Sequence, residues 1–171
     1  HVEELMDAGL SSLKIEGRAK SAYYAAIVTG AYRHVIDDVA AGRAVDPVWR
    51  DEVEHVSHRH YSTGFYFGHP GQYTENARYI REWQVVALVT DCTPDGMATL
   101  SLRNKFTAGD TLELVGPDTK PMTFTAPVME DEAGEPLTEP KNSQMVFRMR
   151  LPRQVPAWTI LRAARDLSAK S

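Results

Sequence analysis

The chain has 171 residues, 43% of them hydrophobic and 25% charged, with a formal net charge of −4 at pH 7. That length suits one domain or two small ones, and the mild acidic balance excludes a general polyanion binder. A lone cysteine, Cys92, excludes an internal disulfide framework and fits a reducing cytoplasm, and no apolar run is long enough to span a membrane.

Residues 2–8 read as a helix, with Val2, Leu5 and Met6 on one side and Gly9 as its stop. In residues 10–16, Leu13 and Ile15 alternate with Lys14 and Glu16, the period-two pattern of a short strand. Gly17 breaks that pattern, and Ser21 is the expected N-cap of a helix over 22–41. There Tyr24, Ile27, Val28, Ala31, Tyr32, Val35, Ile36 and Val39 recur at three- and four-residue steps, and Gly42 closes the run. Asp46 before Pro47 predicts the cap and first position of a further helix, with Trp49, Val53 and Val56 as its apolar seam. One short strand cannot form a sheet by itself, so residues 1–45 read as a piece of a larger β/α body. In such bodies chemistry gathers at the carboxyl ends of strands, which singles out Glu16, Arg18 and Lys20 as substrate-binding candidates. The plainer reading of that segment is a solvated turn.

His55, His58 and His60 stand close together and His69 follows, but no acidic or Cys ligand falls at a familiar zinc spacing. They read as loop histidines, and no metal is expected. Tyr61, Phe65, Tyr66 and Phe67 lie among glycines, which suits either a loop anchored in the core or a stacking platform for bases. Anchoring is the expectation, because buried aromatics supply area that a small domain lacks.

From Trp83 the pattern changes. Residues 85–90, 97–102, 111–115, 122–125, 128–130 and 145–150 are short strand-like runs, separated by turn clusters such as Pro94-Asp95-Gly96. They predict a small antiparallel barrel or sandwich, and a β-barrel is taken as the expectation. Residues 156–169 read as a helical tail, with Trp158, Ile160 and Leu161 available for docking. The expected fold class is therefore α+β. Helices and one strand of a truncated β/α-barrel body occupy 1–45, a helix and an aromatic-glycine linker 46–82, and the β-barrel with its helical tail 83–171. Acids outnumber bases between residues 84 and 152, so the basic patch Arg103, Asn104 and Lys105 is the weaker site candidate and the segment around Lys14, Arg18 and Lys20 the stronger.

Several of these pieces occur together in a known order. Residues 12–21 (Ser-Leu-Lys-Ile-Glu-Gly-Arg-Ala-Lys-Ser), Tyr32-Arg33, Ile36-Asp37, residues 62–68 (Ser-Thr-Gly-Phe-Tyr-Phe-Gly) and Arg103-Asn104-Lys105-Phe106 with Gly109-Asp110 resemble the C-terminal part of the collagenase-like peptidases, the U32 family. The pattern is most similar to that family's tRNA hydroxylation branch, which helps make 5-hydroxyuridine at the wobble position. The resemblance implies a β/α-barrel body with a cysteine signature upstream of His1, followed by a small C-terminal β-barrel. Cys92 matches no part of that signature and reads as an ordinary buried thiol.

The resemblance also implies that the catalytic centre lies outside this chain. The parent is then an enzyme, a peptidase or a tRNA modifier, and the chain alone is expected to be inactive. No cofactor is expected within it, and an iron–sulfur cluster is left to the upstream body. Arg18 would clamp a carboxylate or phosphate while Glu16 orients it or moves protons. The barrel would position a protein or RNA substrate, or simply cap the body; no membrane or DNA partner is expected. A strand at 13–16 without neighbours would be free to pair with a second copy as a homo-oligomer.

Overall fold

The computed structural model describes residues 1–70, 82–117 and 119–165. Its contacts divide the chain into two compact units, His1–Glu82 and Trp83–Ser171, each described here by itself.

The first unit is helical: α1 (Val2–Asp7), α2 (Ala22–Ala40) and α3 (Val48–Glu54). Ser21 caps α2 as its side chain implies, its hydroxyl accepting the Tyr24 N–H at 3.2 Å. Past the other end Gly42, at φ 65°, returns its N–H to the Val39 carbonyl at 3.0 Å. Asp46 also caps, accepting the Val48 N–H at 3.0 Å, although Pro47 takes the cap position and α3 begins one residue later than expected. The apolar stripe of α2 buries Ile27, Val28 and Ala31, and α3 buries Trp49, whose ring stacks on His34 at 3.9 Å.

Two expectations fail in this unit. Residues 10–16 form no strand: Leu13 and Ile15 are half-buried while Lys14 and Glu16 are exposed, so the alternation survives, but no ladder accompanies it among the described residues. Alternation dictates which side is apolar, whereas a strand also needs a neighbour to accept its hydrogen bonds. Of the aromatic loop, Phe65, Tyr66 and Phe67 are not anchored either, being 75%, 70% and 66% exposed.

The second unit contains β1 (Trp83–Cys92), β2 (Met97–Leu102), β3 (Thr111–Gly116), β4 (Thr119–Thr125), β5 (Met129–Glu130), β6 (Pro136–Leu137), β7 (Val146–Arg150) and β8 (Ile160–Ala164). They form one sheet in the order β4-β3-β8-β1-β2-β7-β5-β6, with every pairing antiparallel. The pleat sorts the side chains: on β7, Phe147 and Met149 point into the core while Val146, Arg148 and Arg150 stay exposed. Leu100, Leu112, Leu114 and Leu161 join them at 1% exposure or less, each contributing about 2 kcal/mol by its burial. On the outer side Arg148 pairs with Glu130, and Arg150 with Asp95. The Thr93 hydroxyl and the Arg150 guanidinium hold the Asp95 carboxyl below its usual range. At the β1–β2 turn Gly96 adopts φ 87°, and a Cβ there would lie 2.9 Å from the Leu151 carbonyl oxygen. Only glycine fits that approach.

The sheet does not close into the expected barrel. Closure requires the two end strands to bond to each other, and here the ends are β4 and β6. β4 contains Pro121, which has no N–H to give, and β6 is two residues long and begins with Pro136. The expected helical tail is also corrected at 160–164. Ile160–Ala164 is β8, bonded on one side to β1 and on the other to β3, so it is central to the sheet. The rest of that predicted helix, from 166 onward, lies outside the described residues.

Candidate functional site

Glu16, Arg18 and Lys20 lie in one turn closed by the Lys20 N–H and the Gly17 carbonyl at 2.8 Å. The turn wraps Tyr24. The ring carbons approach to within 3.2 Å of where a Gly17 Cβ would stand, and the Lys20 ammonium lies 5.3 Å from the ring centroid. Lys20 then donates to the Ser57 carbonyl at 2.8 Å, fastening the turn to the segment after α3. Glu16 accepts the backbone N–H of Arg18 at 3.1 Å, and both side chains are exposed. A hollow of about 510 Å³ in this unit is walled by Val2, Tyr32, Val35, Trp49 and Val53, and none of the three candidates lines it. Sequence proximity thus brings the three together as a turn, with Lys20 spent on structure.

His55 and His58 serve packing, whereas His60 and His69 are exposed. His55 Nδ1 lies 3.1 Å from a Glu52 carboxylate oxygen, and Glu52 is itself buried. His58 is buried, stacks on Tyr61 at 4.4 Å and faces Glu54 at 3.5 Å. The Tyr61 hydroxyl donates to the Val53 carbonyl at 2.6 Å, and burial pushes its pKa up to about 12. Among the described residues no three His, Cys, Asp or Glu side chains gather as metal ligands.

Arg103, Asn104 and Lys105 form the loop that leaves β2. Three bonds pin it to β1: the Arg103 and Asn104 N–H groups reach the Val86 carbonyl at 2.8 and 3.1 Å, and the Asn104 amide reaches the Val85 carbonyl at 2.7 Å. Phe106 plugs the core at 4% exposure, so the backbone is held from both ends while the side chains of Arg103 and Lys105 face solvent. Arg103 bonds the Ser101 hydroxyl at 3.0 Å, and neither cation has a carboxylate partner among the described residues. Asn104, named with them as a candidate, is the clamp that fixes its two neighbours.

Lys105 also borders a cleft of about 420 Å³ formed with Trp83, Gln84, Asp110, Glu113 and Ala164. Under this cleft lies Arg162, fully buried. Its Nε and Nη2 donate to Glu113 Oε2 at 3.0 and 2.7 Å, and its guanidinium carbon sits 4.6 Å from the Trp83 ring centroid. Glu113 and Arg162 are directly opposed on β3 and β8, and Trp83 opens β1 beside the end of β8.

Two family models match this chain. Peptidase family U32 covers residues 1–76, and the Peptidase family U32 C-terminal domain covers residues 81–162. The chain belongs to the U32 peptidase family. It is 39% identical over 139 residues to tRNA hydroxylation protein P of Escherichia coli (strain K12), a match covering 79% of this chain and 30% of that protein. It is 32% identical over 162 residues to tRNA hydroxylation protein P1 of Bacillus subtilis (strain 168), covering 90% and 38%. With "Uncharacterized protease MJ0090" of Methanocaldococcus jannaschii it shares 35% over 128 residues, covering 70% and 31%. The chain therefore spans about a third of the length of these relatives.

In this U32 chain the sequence reading missed Trp83, Glu113 and Arg162 as one group. The available signal was weak: Trp83 lies just before the first strand-like run, and Glu113 interrupts an apolar one. Arg162 could not be paired with either while residues 156–169 were read as helix. Cys92, expected to be buried, is half-buried at the end of β1, its thiol 3.6 Å from the Thr93 carbonyl oxygen.

Proposed function

We propose that this chain is the C-terminal part of a U32-family tRNA hydroxylation protein, and that its sheet unit positions the tRNA for a catalytic centre lying outside the chain. The observation that carries the reading is the loop 103–105: two exposed cations without carboxylate partners among the described residues, on a backbone pinned to a central strand. A fixed loop presents cations to phosphate without paying their ordering entropy at each encounter. The likeness to tRNA hydroxylation proteins along both units supports RNA as the object held. Arg18, exposed on its turn, is the second contact proposed for an anionic group.

Titration of labelled tRNA against the intact chain at several salt concentrations tests this. Arg103→Ala and Lys105→Ala should each weaken binding and lower the slope of log affinity against log salt by about one. Unchanged slopes in both variants would remove the loop from the interface. The archaeal relative named as a protease favours a second reading, in which the unit positions a polypeptide. Retention of denatured collagen by a chain that ignores tRNA selects that reading.

A further inference from the structure

Two loops of the sheet unit lie side by side and are tied at both ends. Where β2 ends, the Leu102 N–H donates to the Met145 carbonyl at 2.9 Å, and the Leu102 carbonyl accepts the Gln144 N–H at 3.1 Å. Farther along, the Ala108 N–H donates to the Thr138 carbonyl at 2.8 Å. Arg103 Nη1 reaches the same Leu102 oxygen at 3.3 Å, so the guanidinium and the Gln144 backbone meet on one atom. Residues 103–108 and 138–145 carry Arg103, Lys105 and Lys141, all exposed, and one acid, Glu139, which is half-buried. None of the four forms an ion pair among the described residues. In a stretch of chain where acids outnumber bases, this is a local excess of positive charge.

Gln144 holds an uncommon backbone. It is the third residue of the turn that the Met145 N–H closes on the Asn142 carbonyl at 2.9 Å, and its φ is 62°. Glycine is the ordinary occupant of such a position, because it has no Cβ to crowd the backbone. A glutamine stands there instead, exposed, and its carboxamide makes no hydrogen bond among the described residues. The fold therefore draws nothing from this side chain that would offset the strain.

We propose that the two loops bind a single-stranded stretch of RNA, with phosphates on Arg103 and Lys141 and the edge of an unpaired base on Gln144. The proposal rests on the RNA reading above and adds to it the residue that reads a base. Phosphate oxygens only accept hydrogen bonds, so cations suit them and half of a carboxamide does not. A carboxamide sets one donor beside one acceptor, and that pair finds its complement on a base edge. Such edges are open in RNA where bases are unpaired. The hydrogen bonds that tie the loops together hold the carboxamide and the guanidinium in one place before the strand arrives.

The test uses the intact chain with three probes: tRNA, a single-stranded RNA oligonucleotide, and that oligonucleotide with abasic sites. The unsubstituted chain should bind the base-bearing strand about tenfold more tightly than the abasic one. Gln144→Gly should abolish that difference while leaving the thermal midpoint unchanged or higher, since glycine suits φ 62°. Lys141→Ala should weaken both strands equally and lower their salt slopes by about one. A Gln144→Gly chain that melts several degrees lower assigns the side chain to the fold and overturns the proposal. So does a base preference that survives Gln144→Gly, or equal binding of the two strands by the unsubstituted chain; with tRNA still bound, either leaves the RNA reading standing. A Gln144→Gly chain that loses denatured collagen rather than RNA gives the loops to a polypeptide and overturns the proposal too. Failure of the unsubstituted chain to bind tRNA overturns the RNA reading, and the base-reading assignment falls with it.

Discussion

Arg18 and Lys20 stand two residues apart and have opposite fates. The Lys20 ammonium is half-buried, bonded to the Ser57 carbonyl and seated over Tyr24, so its charge links the turn to the end of α3. Arg18 is exposed and forms no ion pair among the described residues. Lys20→Ala should therefore cost about 1–2 kcal/mol, the range of a charge-assisted bond, while Arg18→Ala should stay within about 0.5 kcal/mol. Urea unfolding of the two variants checks this, and equal losses would contradict the division of roles. The pattern Lys-x-Glu-x-Arg-x-Lys displayed the charges but could not say which was spent, because Ser57 lies far along the chain. The same limit hid Asn104, whose partner Val85 precedes it by a whole hairpin.

At the level of elements, the helices and most strands were legible because their signals are local. Ser21 and Gly42 mark the ends of α2, and Pro94, Asp95 and Gly96 mark the turn between β1 and β2. β8 was illegible for a definite reason: Ile-Leu-Arg-Ala-Ala is built mainly from good helix formers, and only the strands on either side make it a strand. Arg162 shows how strongly that context rules, since an arginine sits at 0% exposure in the middle of a sheet. Its charge is tolerable because Glu113 meets it across the ladder and Trp83 covers it. Glu113→Ala should remove the carboxylate that faces the buried guanidinium and cost about 3–5 kcal/mol. Pairing Glu113→Leu with Arg162→Met should recover most of that loss. Denaturant midpoints of the three chains decide the matter; a double variant no better than Glu113→Ala would mean that the pair is not what sustains the β3–β8 contact.

At the largest scale, the sheet unit's architecture depends on something no window of sequence contains, namely whether its end strands find each other. The run of short strands was readable, but barrel and open sheet share the same alternation and differ only in that last ladder. Leaving it open creates edges, and edges recruit other chains unless they are blunted. β6 is protected by its brevity and Pro136. β4 is the longer liability, seven residues with β3 on one side, and within it stand Lys120, which is exposed, and Pro121, which is half-buried. A cation repels a like edge and a proline withholds the N–H that a new neighbour would need. Replacing them together, Lys120→Thr with Pro121→Val, should make the intact chain sediment as a larger, concentration-dependent species than the unsubstituted chain, because β4 would then present a continuous strand of high β-propensity. The hydrogen-bonded core strands are untouched by the change, so the thermal midpoint of the dilute protein should move little. If sedimentation is the same for both chains over the whole concentration range, Lys120 and Pro121 are not what keeps this edge unpaired.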